Sequence, residues 1–112
     1  MATRAIVAMQ LKDGNFLSIY HHWDGYPDHL GKVLFDHYKT YGDVYNYISG
    51  GDISSTEDDG TPNYYKDMGE DPERVAPVTS RVEAEVFRRA RECCDYIYLF
   101  KDGIWQTGKS FT

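Results

Sequence analysis

Alternating hydrophobic and polar residues near both ends of the chain predict two β-hairpins. Residues 4–11 place Ala5, Val7 and Met9 on one face of a strand, with the two-residue period that strands show. Asp13 and Gly14 then provide the positive φ angles that a tight turn requires. A second Asp-Gly turn follows the aromatic run near the C-terminus. The predicted strands cover residues 4–11, 16–22, 96–100 and 104–107.

Hydrophobic residues at helical spacing predict two or three helices between these hairpins. Leu30, Leu34 and Tyr38 would form the buried side of a helix over residues 27–41. Ser80 and Glu83 have the spacing of a capping box, which favours a helix over residues 80–94. Asp43 could cap a short helix between them.

The remaining stretch, about residues 52–78, is predicted to be a long irregular loop, which in a small domain is either functional or mobile. With 112 residues the chain is long enough for one hydrophobic core, so residues 1–112 are expected to form a single domain. We expect an α+β fold, in which the hairpins join in a four-stranded antiparallel sheet and the helices pack on one face of it.

Composition restricts the partners that this chain can have. The formal net charge of −6 argues against direct binding to nucleic acid, since a phosphate backbone requires a basic surface. The sequence contains no apolar run long enough to predict a membrane span, and the N-terminal residues lack the apolar core of a signal peptide. The adjacent Cys93 and Cys94 cannot link distant elements, so a reducing cytoplasm is the expected compartment. Because they lie at the end of a helix, where the dipole disfavours a thiolate, we expect them to pack in the core.

The segment from His21 to Pro27 carries the candidate binding residues. Asp, Gly and Pro suffice for a strand-to-helix turn, whereas the histidines and aromatic rings here are not needed for one. Rings in this turn and in the long loop could form a small aromatic core, an exposed patch for a partner protein, or a stacking site for a flat ligand. The candidate binding residues are His22, Trp23, Asp24, Tyr26, Tyr64 and Tyr65.

Catalytic and metal chemistry are the alternatives for the same segment. His22 beside Asp24 could act as an acid–base pair, because a neighbouring carboxylate holds a histidine pKa near the working range. His21 and His22 are consecutive in a strand and therefore point to opposite faces. No histidine spacing matches a zinc pattern, so we predict that no metal and no other cofactor is required.

Motifs along almost the whole chain resemble a family of small proteins encoded by bacteriophages and prophages. They are the segment Ile19–Pro27 that contains His-Trp-Asp-Gly-Tyr-Pro, a following Gly31, Gly51–Ser55, Gly69-Glu70, the strand Tyr96–Phe100 and a later tryptophan. The resemblance implies a phage origin but no mechanism. The acidic run Glu57–Asp59 departs from the family pattern and has no implied role.

The expected function is therefore that of a non-enzymatic phage accessory protein in the cytoplasm of the infected bacterial host. It would bind a host protein or a small ligand through the turn formed by residues 23–27, called here the Trp23 turn, and through the part of the long loop that contains Tyr64. A small hydrolase or transferase that uses His22 and Asp24, and an acidic inhibitor of a nucleic-acid-binding host protein, are the alternatives. Self-association stays open.

Overall fold

A mixed β-sheet of seven strands runs through the middle of the computed structural model, which describes residues 2–109. The strand order is β4-β3-β2-β1-β6-β7, and the short β5 pairs with the part of β2 that β3 does not reach. The sheet is therefore wider than the four predicted strands. The strands are β1 Ala5–Gln10, β2 Phe16–His21, β3 Ile53–Thr56, β4 Pro62–Tyr64, β5 Val78–Ser80, β6 Tyr96–Lys101 and β7 Ile104–Lys109.

Both predicted hairpins are present, but the way in which they join was predicted wrongly. The pairs β1–β2 and β6–β7 are antiparallel, whereas β1 and β6 run parallel, with Val7 opposite Tyr98. Alternation within a hairpin determines the pairing of its own two strands and says nothing about its neighbour. Here a helical segment precedes β6 and returns the chain to the end at which β1 starts, as a parallel connection requires.

Helices cover both faces of the sheet, so the prediction that they pack on one face is wrong. Leu30, Leu34 and Val44 pack with one face of β1, and Val86 and Ala90 pack with the other. Both faces of β1 are apolar, and every residue from Ala5 to Met9 is buried. A strand that is buried on both faces is typical of sheets with parallel pairs and helices on each side.

The predicted helix over residues 27–41 is divided into two parts. A π-helical turn, Pro27–Gly31, leads into the helix α1, Lys32–His37. The next helix, α2 (Tyr41–Ser49), is capped by Thr40, whose hydroxyl accepts from the Asp43 N–H at 3.1 Å. Asp43 therefore lies inside this helix and does not cap it.

The third helix, α3 (Glu83–Cys93), begins later than the capping box predicts. Ser80 is the buried end of β5, where it pairs with Phe16, and is thus not available as a cap. Glu85 instead accepts from the Arg81 N–H at 3.2 Å. Pairing with β2 therefore competes successfully with the local helix-start signal.

The stretch over residues 52–78 was predicted to be irregular, yet it contains β3, β4 and the 3-10 helix Tyr65–Met68. The Asp52 N–H donates to the Val75 carbonyl at 2.8 Å, which holds the end of this stretch against its beginning. Gly51 makes that approach possible, because its φ is +91° and an added Cβ would lie 2.4 Å from the same carbonyl oxygen. Among residues 2–109, no helix has the length and apolar character needed to cross a membrane.

Candidate functional site

The backbone of the predicted turn is fixed by contacts with neighbouring strands. After β2 ends, the His22 and Trp23 N–H groups donate to carbonyls of β3 at 3.0 and 2.8 Å. Asp24 then adopts a left-handed φ of +55°. Gly25 packs so closely that an added Cβ would lie 2.8 Å from the Thr3 carbonyl oxygen, and the Tyr98 hydroxyl donates to the Gly25 carbonyl at 2.7 Å. Asp24 and Gly25 are therefore explained by architecture.

The aromatic rings of this turn are exposed. Trp23 is 45% exposed and Tyr26 is 38% exposed. The Trp23 ring meets the His22 ring edge-on, with ring centroids 4.6 Å apart. An exposed tryptophan on a backbone held by sheet hydrogen bonds is a rigid apolar projection.

His22 is oriented by a phenol rather than by a carboxylate. Its Nδ1 lies 2.6 Å from the hydroxyl oxygen of Tyr20. Burial raises the pKa of Tyr20 to about 12, so the phenol keeps its proton and can donate it to Nδ1. Asp24 is exposed, and its backbone has a positive φ. The predicted acid–base pair would need the Asp24 carboxylate to hold the His22 imidazole, whereas the Tyr20 hydroxyl holds it.

The structure separates the two tyrosines that the sequence grouped with Trp23. The Tyr64 hydroxyl donates to the Tyr47 carbonyl at 2.6 Å, and the ring covers Gly50, where an added Cβ would lie 2.2 Å away. Tyr64 thus packs against α2 at the edge of the hydrophobic core. The Tyr65 phenol lies close enough to Tyr20 to contribute to its raised pKa. Tyr65 is therefore connected to the Trp23 turn through Tyr20 and His22, whereas Tyr64 is not.

An open cleft of about 600 Å³ lies at the end of the sheet where β1 and β6 begin. Of the predicted binding residues, only His22 lines it, together with the charged side chains of Arg4, Asp95 and Lys109. Asp95 is held in place because its carboxylate accepts from the Arg4 N–H at 3.0 Å. Among the described residues, the lining of the cleft therefore combines the cationic side chains of Arg4 and Lys109 with the Asp95 carboxylate.

A buried polar cluster lies on the opposite face of the sheet. The His21 Nε2 and the Tyr47 hydroxyl each lie 2.8 Å from the Thr56 hydroxyl oxygen, and the His29 Nε2 lies 3.0 Å from the Thr56 carbonyl oxygen. The His21 Nδ1 has no hydrogen-bond partner among the described residues. Burial, with smaller contributions from His29 and His22, lowers the pKa of His21 to about 3. His21 is thus neutral and structural.

The histidines do not converge on a metal site. His21 and His22 lie on opposite faces, as the strand geometry predicts, and the His37 Nε2 is 3.1 Å from the Asp58 carbonyl oxygen. Within residues 2–109, no three or more His, Cys, Asp or Glu side chains are arranged to hold a metal ion.

One polar group near Tyr20 was not anticipated from the sequence. The Asp52 carboxylate accepts from the Tyr20 N–H at 2.9 Å, and the Arg89 Nη2 lies 4.0 Å from the same carboxylate oxygen. Arg89 also donates to the Ser18 hydroxyl at 2.8 Å. The sequence analysis did not predict that an arginine of α3 lies beside β2. The position could have been inferred from spacing, because Arg89 precedes Cys93 by four residues and the two therefore lie on the same side of the helix.

Comparisons of the chain with protein-family models, with curated proteins and with solved structures gave no significant match. The resemblance to phage proteins therefore stays a prediction.

Proposed function

We propose that the chain is a non-enzymatic binding protein that captures a partner protein through the Trp23 turn, residues 23–27. The observation that carries the proposal is the 45% exposure of Trp23 on a backbone that is fixed by β3 and by Thr3. Rigid aromatic side chains lose little conformational entropy on binding and dominate the energy of many interfaces.

The surroundings of Trp23 favour binding over catalysis. The His22 ring supports the indole from one side and is itself fixed by Tyr20, so this short row of rings positions Trp23. A hydrolase or transferase based on His22 and Asp24 would require the carboxylate to orient the imidazole. The hydrogen bond to Tyr20 supplies that orientation instead.

The resemblance to phage proteins suggests where the partner occurs. If the chain originates from a phage, the partner is a bacterial protein in the cytoplasm of the infected cell. The net charge of −6 favours a partner with a basic surface around an apolar pocket, because opposite charges speed association. An acidic inhibitor of a nucleic-acid-binding protein is one form of this proposal.

The experiment compares three proteins as baits in a bacterial lysate: the wild type, Trp23→Ala and Phe35→Ala. Phe35 is a matched control, because it is an aromatic residue that is 68% exposed on a different element, α1. A host protein retained by the wild type and by Phe35→Ala, but lost with Trp23→Ala, is the expected result.

The interaction is then measured with purified proteins. Loss of a central aromatic anchor costs at least about 2 kcal/mol, which corresponds to about 30-fold weaker binding. Unchanged thermal unfolding of Trp23→Ala would show that the loss is not due to misfolding. Equal capture by all three baits would contradict the proposal, and a small molecule released from the purified wild-type protein would favour the cleft beside His22 as the binding site.

A further inference from the structure

The outer strand β7 leaves one edge of the sheet open. β7 pairs with β6 on one side, and within residues 2–109 no strand pairs with its other side. The strand has six residues, contains no proline, and carries no charge over Ile104–Gly108. An edge strand of this kind presents a row of backbone groups with which a further strand can pair.

The turn before β7 determines which of its backbone groups point outward. The two turn residues, Asp102 and Gly103, have φ angles of +55° and +80°. These are the angles of a type I′ hairpin, in which the residues next to the turn exchange both backbone hydrogen bonds, so Ile104 is bonded to β6. Since bonded and non-bonded pairs alternate, Trp105 and Thr107 direct their N–H and C=O groups away from β6. Among the described residues, none accepts from or donates to these four groups.

The strands on the opposite side of the sheet are protected from such pairing. The outer strands β4 and β5 have only three residues each. Pro62 begins β4 and Pro77 precedes β5, and the pairing of β3 with β4 contains a register shift. Short strands, proline and irregular pairing are means by which sheet edges avoid association. Pairing between sheets is therefore directed to β7.

β7 is already ordered before a further strand arrives. The Trp105 indole N–H donates to the Tyr38 carbonyl at 2.8 Å, and its ring meets the Phe100 ring at a centroid distance of 5.2 Å. An extended peptide that paired with β7 would lose backbone entropy at each residue that it orders. The β7 strand of a second copy does not incur this loss, which favours a second copy of the chain as the occupant of the edge.

From this arrangement we infer that the chain forms a two-fold symmetric dimer, in which β7 of one copy pairs antiparallel with β7 of a second copy. Trp105 lies opposite Thr107 of the second copy, and the two residues exchange both backbone hydrogen bonds. The two-fold axis repeats this pair, so that all the outward groups of Trp105 and Thr107 are satisfied. The two sheets become one continuous sheet.

The side chains of β7 are complementary to themselves in this register. Gln106 lies opposite Gln106 of the second copy, and each amide can both donate and accept. The exposed Ile104 lies opposite Gly108, where an added Cβ would meet nothing within 4 Å, so there is room for the larger side chain. Lys109 comes beside the turn that contains Asp102 of the second copy, which brings opposite charges together. The net charge of −6 opposes association only weakly at physiological salt, because charges more than about 8 Å apart are screened.

Pairing through β7 closes the assembly and leaves the Trp23 turn outside it. Each copy uses its β7 edge, and only the protected strands β4 and β5 then remain at the outside, so the dimer does not grow into a fibre. The Trp23 N–H donates to β3, and the strands β2, β1 and β6 separate β3 from β7. The dimer therefore exposes two Trp23 turns, and its formation does not depend on the partner proposed for them.

Sedimentation velocity over a range of protein concentrations tests the dimer. The wild type should change from the mass of one chain to twice that mass, and no further. Thr107→Pro should weaken the dimer about thirtyfold, because two backbone hydrogen bonds are lost and each contributes about a factor of five. A proline is tolerated there by the folded chain, since the Thr107 N–H does not bond to β6. Thr107→Val is the matched control, because it keeps the N–H and should dimerise as the wild type does.

Amide hydrogen exchange, measured for each residue by NMR, tests the pairing itself. Exchange at Trp105 and Thr107 should slow as the protein concentration rises, because their N–H groups are bonded only in the dimer. Gln106 is the internal control, since its N–H bonds to β6 and should be protected at every concentration.

The mass of one chain at every concentration up to about 1 mM would overturn the inference, as would a dimer that Thr107→Pro leaves intact or an assembly larger than a dimer. A dimer that is lost in Trp23→Ala would show that the contact uses the Trp23 turn, and would also overturn it. Protection of Thr107 only after a lysate protein has bound would assign the edge to a strand of that protein instead. Should Thr107→Pro fail to fold, the exchange of Trp105 and Thr107 in the wild type decides in its place.

Discussion

Acidification should destabilise this protein through a single buried histidine. His21 is fully buried in β2, and its pKa of about 3 in the folded state lies well below the value of about 6.5 for an exposed histidine. The unfolded chain therefore binds a proton at His21 below about pH 6.5, whereas the folded protein excludes it until about pH 3. The stability that depends on neutral His21 is therefore complete above about pH 6.5 and is lost as the pH falls toward about 3.

The size of this effect follows from proton linkage. Each pH unit below about 6.5 removes about 1.4 kcal/mol from the free energy of unfolding, so that lowering the pH from about 7.5 to about 5 costs about 2 kcal/mol. Near pH 3 the accumulated loss is about 4 kcal/mol, which approaches the whole stability of a marginal domain. The first part of this loss depends only on the folded pKa being far below 5.

Urea unfolding, followed by tryptophan fluorescence at constant ionic strength, measures the loss between pH 7.5 and pH 5. His21→Gln should remove about 2 kcal/mol of the pH dependence relative to the wild type, whatever its stability at neutral pH. Tyr47→Phe is the control, because it removes a hydroxyl from the same cluster at Thr56 and leaves the imidazole in place. Its stability should fall while its pH dependence stays that of the wild type. The same pH dependence in His21→Gln and in the wild type would refute the reasoning.

Three further predictions concern stability. Leu34→Ala should lower the free energy of unfolding by about 2–5 kcal/mol, because Leu34 is only 1% exposed and its removal leaves a cavity; urea denaturation measures this. Gly25→Ala should cost about 1–3 kcal/mol in the same assay, since its Cβ would lie 2.8 Å from the Thr3 carbonyl oxygen, and a neutral substitution would disprove that close packing. Treatment with a chelator should leave the melting temperature unchanged, and a large loss of stability that zinc reverses would show that the prediction of no metal is wrong.

The hairpins could be predicted from the sequence because their information is local. An Asp-Gly turn and alternating residues on each side are sufficient to pair β1 with β2 and β6 with β7. The parallel contact between β1 and β6 joins residues about ninety positions apart, and nothing in either strand specifies it. The short strands β3, β4 and β5 were missed for a related reason. Three or four residues give no readable alternation, and the neighbouring strands stabilise them.

The difference between local and long-range information also applies to the candidate site. The sequence left open whether Trp23 packs in a small aromatic core or is exposed, because the turn itself needs only Asp24 and Gly25; in the structure Trp23 is 45% exposed. The positions of Tyr64 and Tyr65 could not be predicted, since they depend on Gly50 and on the bond between Tyr65 and Asp52.

The alternation of β2 explains how one short segment can serve the core and the surface together. His21 points toward Thr56 and ties β2 to β3 from the α2 face, while the next residue, His22, points to the other face and supports Trp23. The backbone of β2 continues its pairing with β3 through both residues, so the position of the indole depends on the packing beneath it. Protonation of His21 should therefore release Trp23 as well as destabilise the fold. Partner capture by the wild type is accordingly expected to weaken as the pH falls toward about 3, the folded pKa of His21, and binding measured against pH for the wild type and for His21→Gln tests whether the two effects occur together.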